Sequence, residues 1–299
     1  MTRWLATLLV FGAASALAAA DFAYVSKAET STAVVIDSRP RTECKAATLP
    51  GARCLPAEDF LGPHRRLASE RDILWMLGTA GLSGSEEALV VGQDATARDF
   101  VAGVLYLAGQ KSVRILTEPL PRLGGATAPG QERGILRTAV YTAPMRDRLW
   151  VLKHEVLAGE PLLLDGRSEA EYWGETVRGA RGGHLPGALR LPVVNAAGTL
   201  QHAGDAVAYA HDAWEGIVYF TRLVAGQGLA VRVYPGGWAE WAADGSLPAD
   251  AVSYPERQVT SNNAVPPAPT FNMTLALALL AATGVAFAAG WALARGRRT

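Results

Sequence analysis

The feature that most constrains this chain is the stretch at residues 162–192, LLLDGRSEAEYWGETVRGARGGHLPGALRLP. An apolar run ends in Asp165-Gly166-Arg167. A helical patch with Glu171, Tyr172 and Trp173 follows, and Gly183-His184-Leu185-Pro186-Gly187-Ala188 closes the stretch. The continuous apolar run predicts a buried strand, and Pro with Gly supplies the fixed and the permissive φ of a tight return into another strand. Strand, short helix, turn and strand in that order place the chain in the α/β class.

The same order of signals occurs earlier. Residues 33–39, AVVIDSR, are a β-branched strand ending in D-x-R, Glu43-Cys44 stands where the later copy has Glu171-Tyr172, and Thr48-Leu49-Pro50-Gly51-Ala52 stands where it has residues 184–188. Helical spacing then runs over residues 70–82, a strand and loop over 88–98, a helix over 100–108 and a strand over 113–116. The order is kept while the loops change length, which marks a duplicated domain and not a short solenoid repeat. Residues just after Asp21 read as a linking stretch, 149–157 as a short helix, and the Gly- and Pro-rich 124–135 as the connection between halves.

The spacing D-x-R, E-Y, G-H-L-P-G-A resembles the opening motif of the rhodanese domain, the sulfurtransferase fold. Residues 233–241, VYPGGWAEW, look like that domain's last strand and the turn into its closing helix. The resemblance implies two tandem rhodanese-like domains, over 21–123 and 136–255, each a mostly parallel sheet flanked by helices. It also implies a strand ending in a Cys that opens a loop of backbone N–H groups leading into a helix. Here Ala210 stands in the nucleophile's place in the second half, and Gly92 or Gln93 in the first. A methyl group can neither attack sulfane sulfur nor hold it as a persulfide.

The remaining loop, Ala210, His211, Asp212, Ala213, Trp214, Glu215 and Gly216, leads into a helix over 217–225. If it closes, its N–H groups form an anion site at a helix N-terminus without a thiol. Trp214 either fills volume or contacts a partner. Arg167 with Asp165, like Arg39 with Asp37, reads first as a mutually satisfied structural pair and second as an oxyanion ligand. His184 reads first as a turn histidine and second as a catalytic base or ligand, and His211 in the loop is a candidate anion ligand. His211 and Asp212 alone do not make a metal site, and no cofactor pattern is present.

The 28 basic and 28 acidic residues balance, which removes a whole-protein argument for nucleic acid. Residues 1–20 have the basic start, apolar centre and small-residue end of a secretory signal peptide, with cleavage after Ala18 or Ala20. Residues 256–272 read as a Pro-rich tether, 273–294 as an uncharged transmembrane helix, and 295–299, with Arg295, Arg297 and Arg298, as a cytoplasmic tail. The basic tail puts the C-terminus inside and the folded body outside. The predominance of Arg over Lys suits a bacterial origin, which means the periplasm at the inner membrane, whereas in a eukaryote the same topology means the secretory pathway or cell surface. In such an oxidising compartment Cys44 and Cys54 read as a disulfide, as two inert buried thiols, or as a working thiol.

Two functions follow. One is a non-catalytic rhodanese-like module that binds a small sulfur oxyanion or a membrane or periplasmic protein partner. The other is a thiosulfate or persulfide sulfurtransferase that uses a non-standard or partner-supplied thiol.

Overall fold

The computed structural model describes residues 21–26, 33–120, 127–136, 139–193 and 206–251. The expected signal peptide, tether, transmembrane helix and basic tail lie outside the described residues. Among those described, no helix is long and apolar enough to cross a membrane.

The first sheet has six strands in the order β1-β5-β4-β2-β3-β6, all pairs parallel. The strands are β1 (Phe22–Val25), β2 (Val34–Asp37), β3 (Arg53–Cys54), β4 (Glu87–Val91), β5 (Ser112–Leu116) and β6 (Gln131–Glu132). Helices α1 (Arg41–Ala46), α2 (Glu70–Thr79) and α3 (Ala95–Leu107) connect them. After α4 (Lys153–Ala158), the second sheet is built from β7 (Leu162–Asp165), β8 (Leu189–Arg190), β9 (Ala206–Tyr209) and β10 (Val231–Val233). Its order is β10-β9-β7-β8, again parallel, with α5 (Glu169–Tyr172), α6 (Ala213–Thr221) and α7 (Gly237–Ala243) around it. Trp150 bridges β10 in parallel, as β1 pairs with β5. The two sheets therefore repeat one strand order.

Parallel strands buried on both faces read as continuous apolar runs, and VVID, ALVV, LLLD and AVAY are such runs. The faces that meet share one core, containing Phe22, Phe60 and Phe100 from the first half with Leu164, Ile217 and Phe220 from the second. Helices α3 and α6 touch closely where Gly103 faces α6. A Cβ there would lie 2.3 Å from Thr221 Oγ1 and 2.5 Å from Ile217 Cγ2.

Four local expectations are corrected. The stretch after Asp21 is not a link: it forms edge strand β1, since Phe22 is fully buried and stacks on Tyr106 at 4.2 Å. Within 124–135, expected as a connection, Gln131–Glu132 extends the first sheet beside β3. In 149–157 the backbone of Trp150 and Val151 serves the second sheet instead of a helix, Val151 N–H donating to the Val233 carbonyl at 2.9 Å, so α4 starts only at Lys153. The helix expected over 217–225 begins at Ala213, and Arg222–Gly226 is a π turn.

Candidate functional site

The carboxyl ends of the paired strands β7 and β9 lie side by side and lead into the D-x-R turn and the loop before α6. At the end of β7, fully buried Asp165 accepts from Arg167 backbone N–H at 2.9 Å, Nε at 3.0 Å and Nη2 at 2.6 Å. Arg167 Nη2 also donates to the Gly183 carbonyl at 2.9 Å, and the guanidinium lies 4.9 Å from the Trp238 ring centre. Burial pushes the Arg167 pKa down, but the hydrogen bond and charge of Asp165 outweigh it and raise it. Arg167 is thus committed to tying a strand end to a loop. Arg39 repeats the tie, binding Asp37 at 2.7 Å and the Ala47 carbonyl at 2.6 Å.

His184 is buried as well. Its Nδ1 pairs with the Tyr172 carbonyl at 2.9 Å, its ring stacks on Tyr172 at 3.6 Å, and its backbone exchanges hydrogen bonds with Asp250. Ser168 and Glu171 form a capping box that starts α5 and so presents Tyr172 to this stack.

After β9 the chain enters α6 through only Ala210, His211 and Asp212. Ala210 is buried, and its carbonyl accepts from Trp238 N–H at 2.9 Å, while the His211 carbonyl accepts from Ala239 N–H at 2.8 Å. This close approach requires Gly237, whose φ is +57° and whose Cβ would meet the Ala210 carbonyl oxygen at 2.6 Å. The cradle is not vacant: Asp212 caps α6, accepting from Glu215 N–H at 3.0 Å. Arg65, from the first half and at φ +57°, pairs with Asp212 at 3.5 Å and lies 5.0 Å from the Trp214 ring centre. Trp214 stacks on Phe100 at 4.6 Å, so it fills volume between the halves.

The first half shows the same device. Asp94 caps α3, accepting from Thr96 N–H at 2.6 Å and Ala97 N–H at 2.9 Å. A Cβ on Gly92 would lie 2.4 Å from Ser38 Oγ, so that position has no space for a nucleophile's side chain. Cys44 and Cys54 are joined as a buried disulfide between α1 and β3, with both sulfurs packed against Gly130. There is no free cysteine among the described residues.

Sequence reasoning passed over two charge clusters that flank α6. Exposed Arg178 grips Glu215 bidentately at 2.6 and 2.8 Å and Glu171 at 2.6 Å. These bonds, led by that to Glu215, raise its pKa. Beside them His211 has a buried Nδ1 without a partner among the described residues. Burial, then the Arg178 charge, lowers its pKa. At the other end Arg222 Nε donates to Asp99 at 2.8 Å, and Arg98 Nη2 approaches the same carboxylate at 3.4 Å. Between the clusters lies a cavity of about 190 Å³ whose lining includes Thr96, Gly166, Ala210, Val218, Tyr219 and Arg222. The helical spacing of residues 215, 218, 219 and 222 was the readable signal for this face. Gly166, the middle of D-G-R, makes room for the Tyr219 ring, which a Cβ would meet at 2.5 Å. Among the described residues no group of three or more His, Cys, Asp or Glu side chains gathers to hold a metal.

Residues 151–244, which hold these parallel strands, the tied D-x-R turn and the helix-capping loop, match the family model described as the rhodanese-like domain. A crystal structure described as a probable thiosulfate sulfurtransferase is 28% identical, with a TM-score of 0.56 over 76% of this chain and 100% of that one. YnjE, at 19% identity, shares the fold with a TM-score of 0.62 over 74% of this chain and 63% of its own. So does the anaerobic ergothioneine biosynthesis enzyme from Chlorobium limicola, solved with trimethyl histidine, at 21% identity and a TM-score of 0.59 over 76% of this chain and 66% of its own. The chain thus spans about two thirds of the length of these last two proteins. Comparison with curated proteins finds no match.

Proposed function

We propose that the protein is a tandem rhodanese-like protein that does not transfer sulfur by itself and works by binding a sulfur-containing anion or a protein partner. The observation that carries this reading is the loop between β9 and α6. Ala210 supplies no nucleophile, and Asp212 places the chain's own carboxylate on the N–H group that an anion would use. In this reading residues 21–123 and 136–255 are the two domains, exported to the periplasm and held at a bacterial inner membrane by residues 273–294. The tether raises the local concentration of the module near membrane-bound partners without a new contact.

Incubation of the purified full chain with thiosulfate, and separately with a persulfide donor, followed by intact-mass measurement, tests the reading. No gain of a sulfur atom is expected, and a gain removable by cyanide would overturn it. A second reading has one observation in its favour, the similarity along the whole length of the probable thiosulfate sulfurtransferase. Cys44 and Cys54 are buried in a disulfide, so sulfur transfer would need a thiol from a partner. Addition of candidate partner proteins to the same assay separates the two.

A further inference from the structure

The cavity beside Ala210 extends along one stripe of α6 and the turn after it, with Glu215 at one end and Arg222 seven residues on. At 1.5 Å rise per residue these ends are about 10 Å apart. Their electrostatics differ in sign. Around Glu215, one cation, Arg178, meets two carboxylates, Glu215 and Glu171, leaving a formal charge of −1. Around Arg222, two guanidiniums, Arg222 and Arg98, meet the single carboxylate of Asp99, leaving +1. Arg98 is buried with its Nε unpaired, so this corner is short of acceptors. Arg222 spends Nε on Asp99 and borders the cavity while partly exposed to solvent.

We propose that this cavity binds a small organic anion, with its charged head on the Arg222 guanidinium and a short apolar body against Val218, Val193 and the Tyr219 ring. The proposal rests on the non-transferring reading above and deepens it by moving the anion about two helical turns from the family's loop. The Glu215 end, where Arg178 meets two carboxylates, repels the head group and so fixes the ligand's direction. Guanidinium forks suit sulfonate and carboxylate heads alike. The apolar side of the lining, Val193, Val218 and the Tyr219 ring, suits a body that inorganic thiosulfate lacks, and each buried methylene tightens binding about fourfold.

Isothermal titration of the full chain with butane-1-sulfonate, methanesulfonate and thiosulfate tests this. Butane-1-sulfonate is expected to bind at least about tenfold tighter than either of the others. Arg222→Gln should weaken it at least about tenfold. Val218→Phe, which fills the cavity and leaves the Arg222–Asp99 pair intact, should weaken it as much, with circular dichroism confirming that both variants are folded. No binding of butane-1-sulfonate, equal binding by wild type and Arg222→Gln, or equal binding of the butane and methane sulfonates would each overturn the site. Sulfur transfer from thiosulfate to cyanide by the wild-type chain would instead overturn the functional reading on which the site rests, which separates the two failures.

Discussion

At the carboxyl end of β4 the chain turns through Gly92, Gln93 and Asp94 into α3, and at the carboxyl end of β9 it turns through Ala210, His211 and Asp212 into α6. Both turns spend an aspartate on the helix N-terminus. They differ in the space they leave. At Gly92 the Ser38 hydroxyl, which donates to the Val91 carbonyl at 3.0 Å, occupies the volume a side chain would need. Ala210 already carries a Cβ and borders a cavity. The first turn is filled by its neighbour, whereas the second leaves room beside Ala210.

The strand-end ties show the same asymmetry and give the largest expected effect. Arg167 and Asp165 have side chains 1% and 0% exposed, while Arg39 is 12% exposed over a fully buried Asp37. Arg167→Ala strands a buried carboxylate and should cost about 3–5 kcal/mol in urea denaturation. Arg39→Ala should cost less, because water reaches Asp37 once the side chain is gone. Equal losses would show that the two ties are equivalent.

Cysteine placed at the two turns sharpens the comparison of space. Gly92→Cys must displace Ser38 and should destabilise by about 1–3 kcal/mol, as overpacked cores do. Ala210→Cys directs its thiol toward the cavity and should cost less than about 1.5 kcal/mol. Its alkylation at neutral pH should quicken when Asp212→Asn is added, because the Asp212 charge disfavours a neighbouring thiolate. An Ala210→Cys chain as unstable as Gly92→Cys would remove the claimed difference.

Much of this comparison was legible in the residues, and some was not. The apolar runs and the repeated D-x-R are local signals, and the two sheets share one strand order. The Asp212 cap was not legible, because whether an Asp near a helix start caps it or merely flanks it depends on where the helix begins, and α6 begins at Ala213, not Ile217. Edge strands β1 and β6 were missed because four- and two-residue strands carry little periodicity, and β6 is exposed throughout. The Arg178–Glu215 and Arg65–Asp212 pairs link residues 37 positions apart or in different halves. No window of sequence contains both partners.

The caps themselves come next in size. Asp94 accepts two N–H groups, whereas Asp212 accepts one and shares its other oxygen with Arg65. Each truncation to alanine should cost about 0.5–2 kcal/mol. Asp94→Ala should sit at the upper end in thermal denaturation, and added salt should shrink only the Asp212→Ala effect, because screening acts on the Arg65 pair. A salt-independent Asp212→Ala loss would mean that Arg65 contributes nothing to closing the second turn.

The smallest effect belongs to His211, which occupies the second turn where the first has Gln93. Burial, then the positive charge of Arg178, lowers the His211 pKa in the folded chain. Below about pH 6.5 the unfolded chain takes up a proton on this imidazole that the folded chain resists. The associated stability is therefore complete above that pH and is lost as pH falls. His211→Gln makes the second turn resemble the first and should flatten the stability profile between about pH 7.5 and 5.5, with little change at pH 7.5 itself. Glu171, where burial raises the pKa but the Ser168 and Arg178 hydrogen bonds lower it overall, gives its own acid-side loss from the ordinary carboxylate range downward. The window above about pH 5.5 thus isolates the imidazole. An unchanged slope in His211→Gln would show that the second turn opens to water freely, and the room beside Ala210 would then be ordinary surface.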